Sequence, residues 1–259
     1  MDFSAERAFL ESLADAAAAA ILPHFRTVLP VDSKDGHRFD PVTIADRAAE
    51  TAMRDLIAAR FPDDGIVGEE HGTLNDGAER VWVLDPIDGT RSFIAGLPVW
   101  GVLIGLLHRG RPVLGMMAQP FTGERFGGDG ATAWYTGPGG PRPLRTRACG
   151  DLAEAVLFTT SPDNFAPDEL SAYRRGEAKV RLARYGADCY AYAMLAAGFV
   201  DVVIEAGLQP YDIIPMIPII EGAGGMVTAW DGGTAVHGGK VAASGDARLH
   251  DRVLAVLGE

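Results

Sequence analysis

The sequence predicts a mixed α+β / α/β fold, and three observations carry that prediction. Residues 99 to about 135 read as apolar runs separated by tight turns, the pattern of an antiparallel meander. From residue 156 onward, short apolar strands alternate with helical segments, which suggests an α/β layer. Between the N-terminal helices and the meander, the β-branched run at 81–84 ends in Asp85-Pro86-Ile87-Asp88-Gly89-Thr90. Such a strand delivers two carboxylates to its C-terminal end, beside a turn rich in free backbone N–H groups.

Taken in order, residues 3–22 form an Ala-rich amphipathic helix with Phe3, Leu10, Leu13 and Ala17 inward and Pro23 as its stop. Residues 32–39 are polar and Gly-containing, a mobile-loop composition. Thr43-Ile44-Ala45-Asp46 has the form that opens a helix, continued by Ile44, Ala48, Ala49, Ala52, Met53, Leu56 and Ile57 as far as Phe61-Pro62. Residues 65–68 are a short strand leading to Glu69 and Glu70, and 72–79 a loop. Pro86 is expected to stop the strand at 81–84, and a helix could start at Gly89-Thr90. A turn at His108–Pro112 makes 99–118 a hairpin. Gly137–Pro143 is the best candidate for a seam, dividing the chain into parts at 1–140 and 141–259. In the second part, 156–158, 200–205, 226–229 and 241–243 read as strands, and 169–173, 188–197, 211–223 and 249–257 as helices. Pro218 is expected to kink the third of these helices.

At 259 residues the chain can bury a sizeable core, and its composition is ordinary for a folded protein. A net charge of −12 argues against non-specific nucleic-acid binding. No stretch approaches the ~18 apolar residues of a membrane span, and the N-terminal 20 residues are not a signal peptide. Cys149 and Cys189 read as reduced thiols, which suggests a cytosolic setting.

Asp46, Glu69, Asp85, Asp88 and Asp212 are the acids that could gather at a site. Carboxylates brought together repel unless cations lie between them, and oxygen ligands without His or Cys select Mg²⁺ or Mn²⁺. Simpler roles stand beside this one. Asp46 also fits a capping acid, Asp212 could complement a helix dipole, and Asp188 could be the N-cap of its helix. His71 reads as a surface histidine, Arg142, Arg145 and Arg147 as a solvated face, and Cys189 as a packed thiol.

Gly68-Glu69-Glu70, Asp85 through Thr90, and Tyr211-Asp212 followed by Gly222-Ala223-Gly224-Gly225 together resemble the inositol monophosphatase family. Asp40 through Asp46 match upstream, so the resemblance covers most of the chain in order and spacing. It implies a layered αβαβα sandwich of the inositol monophosphatase / fructose-1,6-bisphosphatase type. It also implies a Mg²⁺-dependent, Li⁺-sensitive phosphatase with two or three ions, Mn²⁺ being a substitute, and a homodimer. By the same resemblance Glu69, Asp85 and the Ile87 carbonyl hold one ion, and Asp85, Asp88 and Asp212 another. Glu69 would also hold a third, with Asp46 acting through water. Thr90 would sit beside Asp46 and help orient the attacking water, while the Gly89 and Thr90 amides hold the phosphate. Glu205 would touch the alcohol portion. Most ion ligands then lie in 1–140, and Asp212 with the substrate-selecting residues in 141–259. No phosphoenzyme is required.

The tail Arg91-Ser92-Phe93-Ile94 departs from the usual inositol phosphatase wording. Together with Gln119 through Phe126, Arg184 through Tyr192, and Glu205 through Asp212, it resembles the histidinol-phosphate phosphatase branch, which serves histidine biosynthesis. Asp188 and Glu205 could pair with the ammonium and imidazole of that substrate, and Arg184 could reach the phosphate or position Asp188. Inositol monophosphate is the nearest alternative, with sugar bisphosphates and adenosine bisphosphate more remote. A non-catalytic metal- and phosphate-binding protein is the rival from another class.

Overall fold

In the computed structural model, residues 3–28, 32–33 and 41–259 are described. Helix α1 (Ser4–Ile21) buries Leu10, Leu13, Ala14, Ala17 and Ile21 along one stripe. Of the expected loop at 32–39, residues 34–39 lie outside the described residues, as does Asp40. Asp32–Ser33 instead forms a short strand, β1, paired antiparallel with β2 (Pro41–Val42).

Helix α2 (Ile44–Arg60) opens with a capping box: Ala45 N–H donates to Thr43 Oγ1 (3.1 Å), and Thr43 N–H donates to Asp46 Oδ2 (2.9 Å). Its buried stripe is Ala45, Ala49, Met53 and Ile57, whereas Ile44 is 59% exposed on the first turn. Asp46 and Glu50 lie on that same buried side.

β3 (Gly65–Gly68) runs parallel to β5 (Arg80–Asp88), and β4 (Gly72–Leu74), within the segment expected to be a loop, pairs antiparallel with β3. Pro86 does not stop its strand. Asp85 pairs with Leu103 and Asp88 with Gly101, so a bulge intervenes, and a bulge is where a residue without an N–H can be accommodated. Gly89, at φ 85°, turns the chain into the short helix α3 (Thr90–Ile94). The expected meander follows as β6 (Gly101–His108), β7 (Arg111–Gln119), β8 (Glu124–Gly128) and β9 (Ala133–Thr136), with β10 (Arg142–Pro143) on its edge. Arg109 and Gly110, at φ 51° and 74°, make the hairpin turn between β6 and β7.

The second half supplies β11 (Val156–Thr159), α4 (Pro167–Glu177), β12 (Leu182–Tyr185), α5 (Asp188–Ala196) and β13 (Val202–Leu208). Then come α6 (Pro210–Ile213), α7 (Met216–Gly222), β14 (Met226–Ala229), β15 (Gly239–Ser244) and α8 (Ala247–Gly258). The helix expected across 211–223 is divided after Ile213. Because α7 restarts at Met216, Pro218 falls in its first turn, where the missing N–H costs nothing, and the break lies before Pro215 instead.

Eight strands form one sheet in the order β10-β9-β8-β7-β6-β5-β3-β4, and five form another, β12-β11-β13-β15-β14. Helices α1 and α2 cover the outer face of the first sheet, α5 and α7 lie between the sheets, and α4 and α8 cover the outer face of the second. The result is a five-layer αβαβα sandwich. Its central apolar layer joins Leu103, Met117 and Phe126 of the large sheet to Tyr192, Leu195, Ile219 and Val203. Arg147, expected on a solvated face, pairs with Asp201, a fully buried acid that also accepts the Val156 N–H. Burial of that carboxylate demands the guanidinium. Both cysteines are free and buried.

Candidate active site

The two sheets meet where β5 ends, α5 and α6 begin, and β13 turns. Asp85, Asp88 and Asp212 converge there: one carboxylate oxygen from each lies within 4.8 Å of the others. Residues far apart in the chain reach this point through the β5 bulge and the sharp turn Gly207–Pro210. Asp85 is 2% exposed, and its Oδ1 accepts the Ile87 N–H (3.0 Å). Burial drives its carboxyl well above the usual range, and repulsion from Glu69, Asp88 and Asp212 adds to the rise. Asp88 is raised to about 7, chiefly by burial and then by the charge of Asp188, although its Oδ2 accepts the Cys189 N–H (2.6 Å). Asp212 is raised well up by burial and by Asp88. Its Oδ2 accepts the Gln209 N–H (2.7 Å), so it also caps α6.

Glu69 lies outside this triangle but against it, since its carboxylate meets Asp85 and raises Asp46, Asp88 and Asp212. Asp46 is 1% exposed. Its Oδ2 is taken by the Thr43 N–H and hydroxyl (2.9 and 2.6 Å), while its Oδ1 is buried with no hydrogen-bond partner among the described residues. Its pKa is raised, first by burial. The capping role is therefore met by one oxygen, which leaves the other for the site. Thr90 Oγ1 donates to the Ile87 carbonyl (3.1 Å), so its partner is that carbonyl and not Asp46.

These groups fit divalent cations. The donors are all hard oxygens, burial and then mutual repulsion, which cations relieve, raise their pKa values, and the buried Asp46 Oδ1 has no hydrogen-bond partner among the described residues.

Asp188 is the first residue of α5, at φ 45°, and makes no capping bond, so the N-cap role is not the one it plays. It accepts the Ser92 hydroxyl (2.5 Å) and packs so tightly on Gly89 that a Cβ there would stand 2.8 Å from its Oδ2. Burial raises its pKa, while Ser92 and the charge of Arg91 lower it. Arg184, on β12, is exposed and is not the group that positions Asp188. Glu205 is 2% exposed and accepts from Thr160 N–H (2.6 Å), Thr160 Oγ1 (2.9 Å) and Thr159 Oγ1 (3.1 Å). Burial outweighs those bonds and lifts it to about 7. The buried Tyr192 hydroxyl has no hydrogen-bond partner among the described residues, and burial plus the charges of Glu205, Asp88 and Asp212 push its pKa up.

Sequence reasoning missed Ser92, Arg91, Thr159, Thr160 and the Cys189 amide as supports. Only the departure at Arg91-Ser92 carried a local signal. The others depend on which strand lies beside which.

The Glu205 shift has a measurable consequence. A glutamate unfolded titrates near ~4.3, so the native state holds its proton longer. Stability contributed by that proton is full below the unfolded value and is lost as pH rises through about 7. In metal-free protein, Tm is expected to fall between pH 5 and 7.5 more steeply than in Glu205→Gln. Parallel melting curves for the two would remove this assignment.

A model of the inositol monophosphatase family matches residues 4–259. The bifunctional phosphatase IMPL2, chloroplastic, of Arabidopsis thaliana is 44% identical over 95% of this chain and 73% of its own. A histidinol-phosphatase of Chlorobaculum parvum is 35% identical over 95% and 94%. Among solved structures, an inositol monophosphatase from Zymomonas mobilis superposes with a TM-score of 0.89 at 39% identity, covering all of both chains. Among the described residues, no helix is long and apolar enough to cross a membrane.

Proposed function

The chain belongs to the inositol monophosphatase family, and from that premise we propose that it is a Mg²⁺-dependent phosphatase of small phosphate monoesters, with histidinol phosphate as its preferred substrate. The phosphatase reading is supported by the convergence of Asp85, Asp88 and Asp212 beside Glu69. These residues would hold the cations. When bound, such cations supply charge neutralisation for the phosphoryl oxygens and lower the pKa of water.

The chain's own groups do the rest. The Thr90 hydroxyl and Ile87 carbonyl, bonded to each other, set the shape of the turn after Asp85. The Gly89 and Thr90 amides follow that turn and would receive the phosphate. Asp46 Oδ1, buried near Glu69 and without a hydrogen-bond partner among the described residues, would accept the proton of an attacking water or orient it. Because the phosphoryl group passes between positioned oxygens, no covalent nucleophile is needed. Cys189, buried with a pKa well above the thiol range, is unsuited to be one.

The substrate reading is carried by one observation: Asp188 lies against Gly89, at the edge of the phosphate turn, held there by Ser92. With Glu205 near it, this sets two carboxyl groups where the alcohol portion would lie. An ammonium or imidazolium there gains charge-assisted hydrogen bonds that a polyol cannot make. The relatives named histidinol-phosphatase point the same way.

Initial rates with Mg²⁺ on histidinol phosphate, inositol 1-phosphate, fructose 1,6-bisphosphate and adenosine 3′,5′-bisphosphate test this. Histidinol phosphate is expected to give the highest kcat/KM. A clear preference for inositol 1-phosphate would overturn the substrate reading and leave the phosphatase. No phosphate release from any of the four would favour a non-catalytic binding protein.

A further inference from the structure

We infer that Glu50 is a positioning residue for Glu69, mounting the turn that carries this carboxylate against Asp85; the inference rests on reading the acidic cluster as a cation site. Glu50 is fully buried on α2, one turn after Asp46 and on the same face. Its Oε2 accepts the Glu70 N–H (2.7 Å), and its Oε1 accepts the His71 N–H (3.1 Å) and Arg54 Nε–H (2.7 Å). The two amides that follow Glu69 therefore both end on one carboxylate. Arg54 also donates to the Gly72 carbonyl, fixing the far side of the turn to the same helix. Before the turn, the Glu69 N–H donates to Leu84 O of β5 (3.2 Å).

Glycine at 68 is what permits this mount. A Cβ there would overlap the Glu50 carboxylate and crowd Arg54. The turn thus sits directly on α2 with no side chain between them.

The arrangement answers a physical problem. Glu69 faces carboxylates that repel it, so without cations the turn is pushed outward. A buried anion bonded to backbone N–H groups and a guanidinium holds it in place, and its own burial is offset by those donors. Helix α2 then presents Asp46 to the site and anchors Glu69 through Glu50, so both acids share one rigid support. Supports of this kind typically govern ion affinity by about 10–100-fold.

The test is a Mg²⁺ titration of the full chain, read by thermal shift and by phosphate release, for wild type, Glu50→Gln and Arg54→Gln. Glu50→Gln keeps the shape but turns one acceptor into a donor facing N–H groups. Its Mg²⁺ midpoint is expected to rise about 10–100-fold in both readouts, with kcat recovering at saturating Mg²⁺. Arg54→Gln, which removes the guanidinium but leaves Glu50 its two backbone donors, is expected to shift the midpoint the same way by several-fold, and serves if Glu50→Gln does not fold. A lowered metal-free Tm with unmoved midpoints in the variants would overturn the inference alone. A wild type whose Tm ignores Mg²⁺ would overturn the cation reading and this inference with it.

Discussion

Asp88→Asn is expected to abolish phosphate release while raising the melting temperature of the metal-free protein. The two effects have one cause. Burial and then the charge of Asp188 raise the pKa of Asp88, and the charge of Asp88 in turn raises Asp85 and Asp212. Asparagine removes one member of that repelling set, and its amide oxygen can still accept the Cys189 N–H. The apo protein is relieved, but a ligand charge is lost. Removing one preorganised electrostatic group costs on the order of 10²–10³-fold in rate, and a lost ion adds to that, so activity at saturating Mg²⁺ is expected to fall at least about 10³-fold. The wild type, by contrast, gains from the cation: binding at 100 times Kd is worth about 2.7 kcal/mol. At roughly 2–4 °C per kcal/mol for chains of this size, its Tm is expected to rise by roughly 5–10 °C. In Asp88→Asn most of that increment disappears. Full activity in this variant, or an undiminished Mg²⁺ shift, would remove Asp88 from the site.

Asp188→Asn is expected to change which substrate is used rather than whether phosphate is released. The substitution conserves shape, so packing against Gly89 is retained and Ser92 can still donate to the remaining oxygen. What goes is the negative charge that, on the proposed reading, would face the alcohol portion. A hydrogen bond to a charged group contributes about 1.5–3 kcal/mol, so kcat/KM for histidinol phosphate is expected to drop about 10- to 150-fold. Inositol 1-phosphate, which has no cation to lose a partner, should move by less than about threefold. Ser92→Ala should act in the same direction with a smaller effect, because the charge persists but loses its anchor. Equal losses on both substrates would mean that Asp188 supports the phosphate turn and has no part in selection.

The parts of the site that were legible lie within a few residues of one another. Thr43 and Asp46 announce a capping box because both partners sit in one helical turn. Asp85 and Asp88 announce a carboxylate pair because a single bulge holds them. Reading Pro86 as a stop and 211–223 as one helix went wrong for a related reason: proline's cost depends on whether its missing N–H was needed, and that depends on where strand pairing or helix onset falls. Glu50 carried a faint signal, four residues from Asp46, yet its partners at 70 and 71 were invisible until β3 was laid beside α2.

By itself the sequence determined the acid set, the family resemblance and the alternation of elements, since these follow from residue type, short spacing and hydrophobic period. Only the tertiary structure gave the grouping of Asp85, Asp88 and Asp212 its distance, and decided that Ser92 and not Arg184 anchors Asp188 across 96 residues and that Glu50 stands under Glu69. The first two are made by the stacking of two sheets around α5, α6 and α7, and the third by α2 lying on the outer face of the first sheet. Packing of that kind depends on how whole apolar faces fit together, and no local pattern encodes which polar groups it brings within reach.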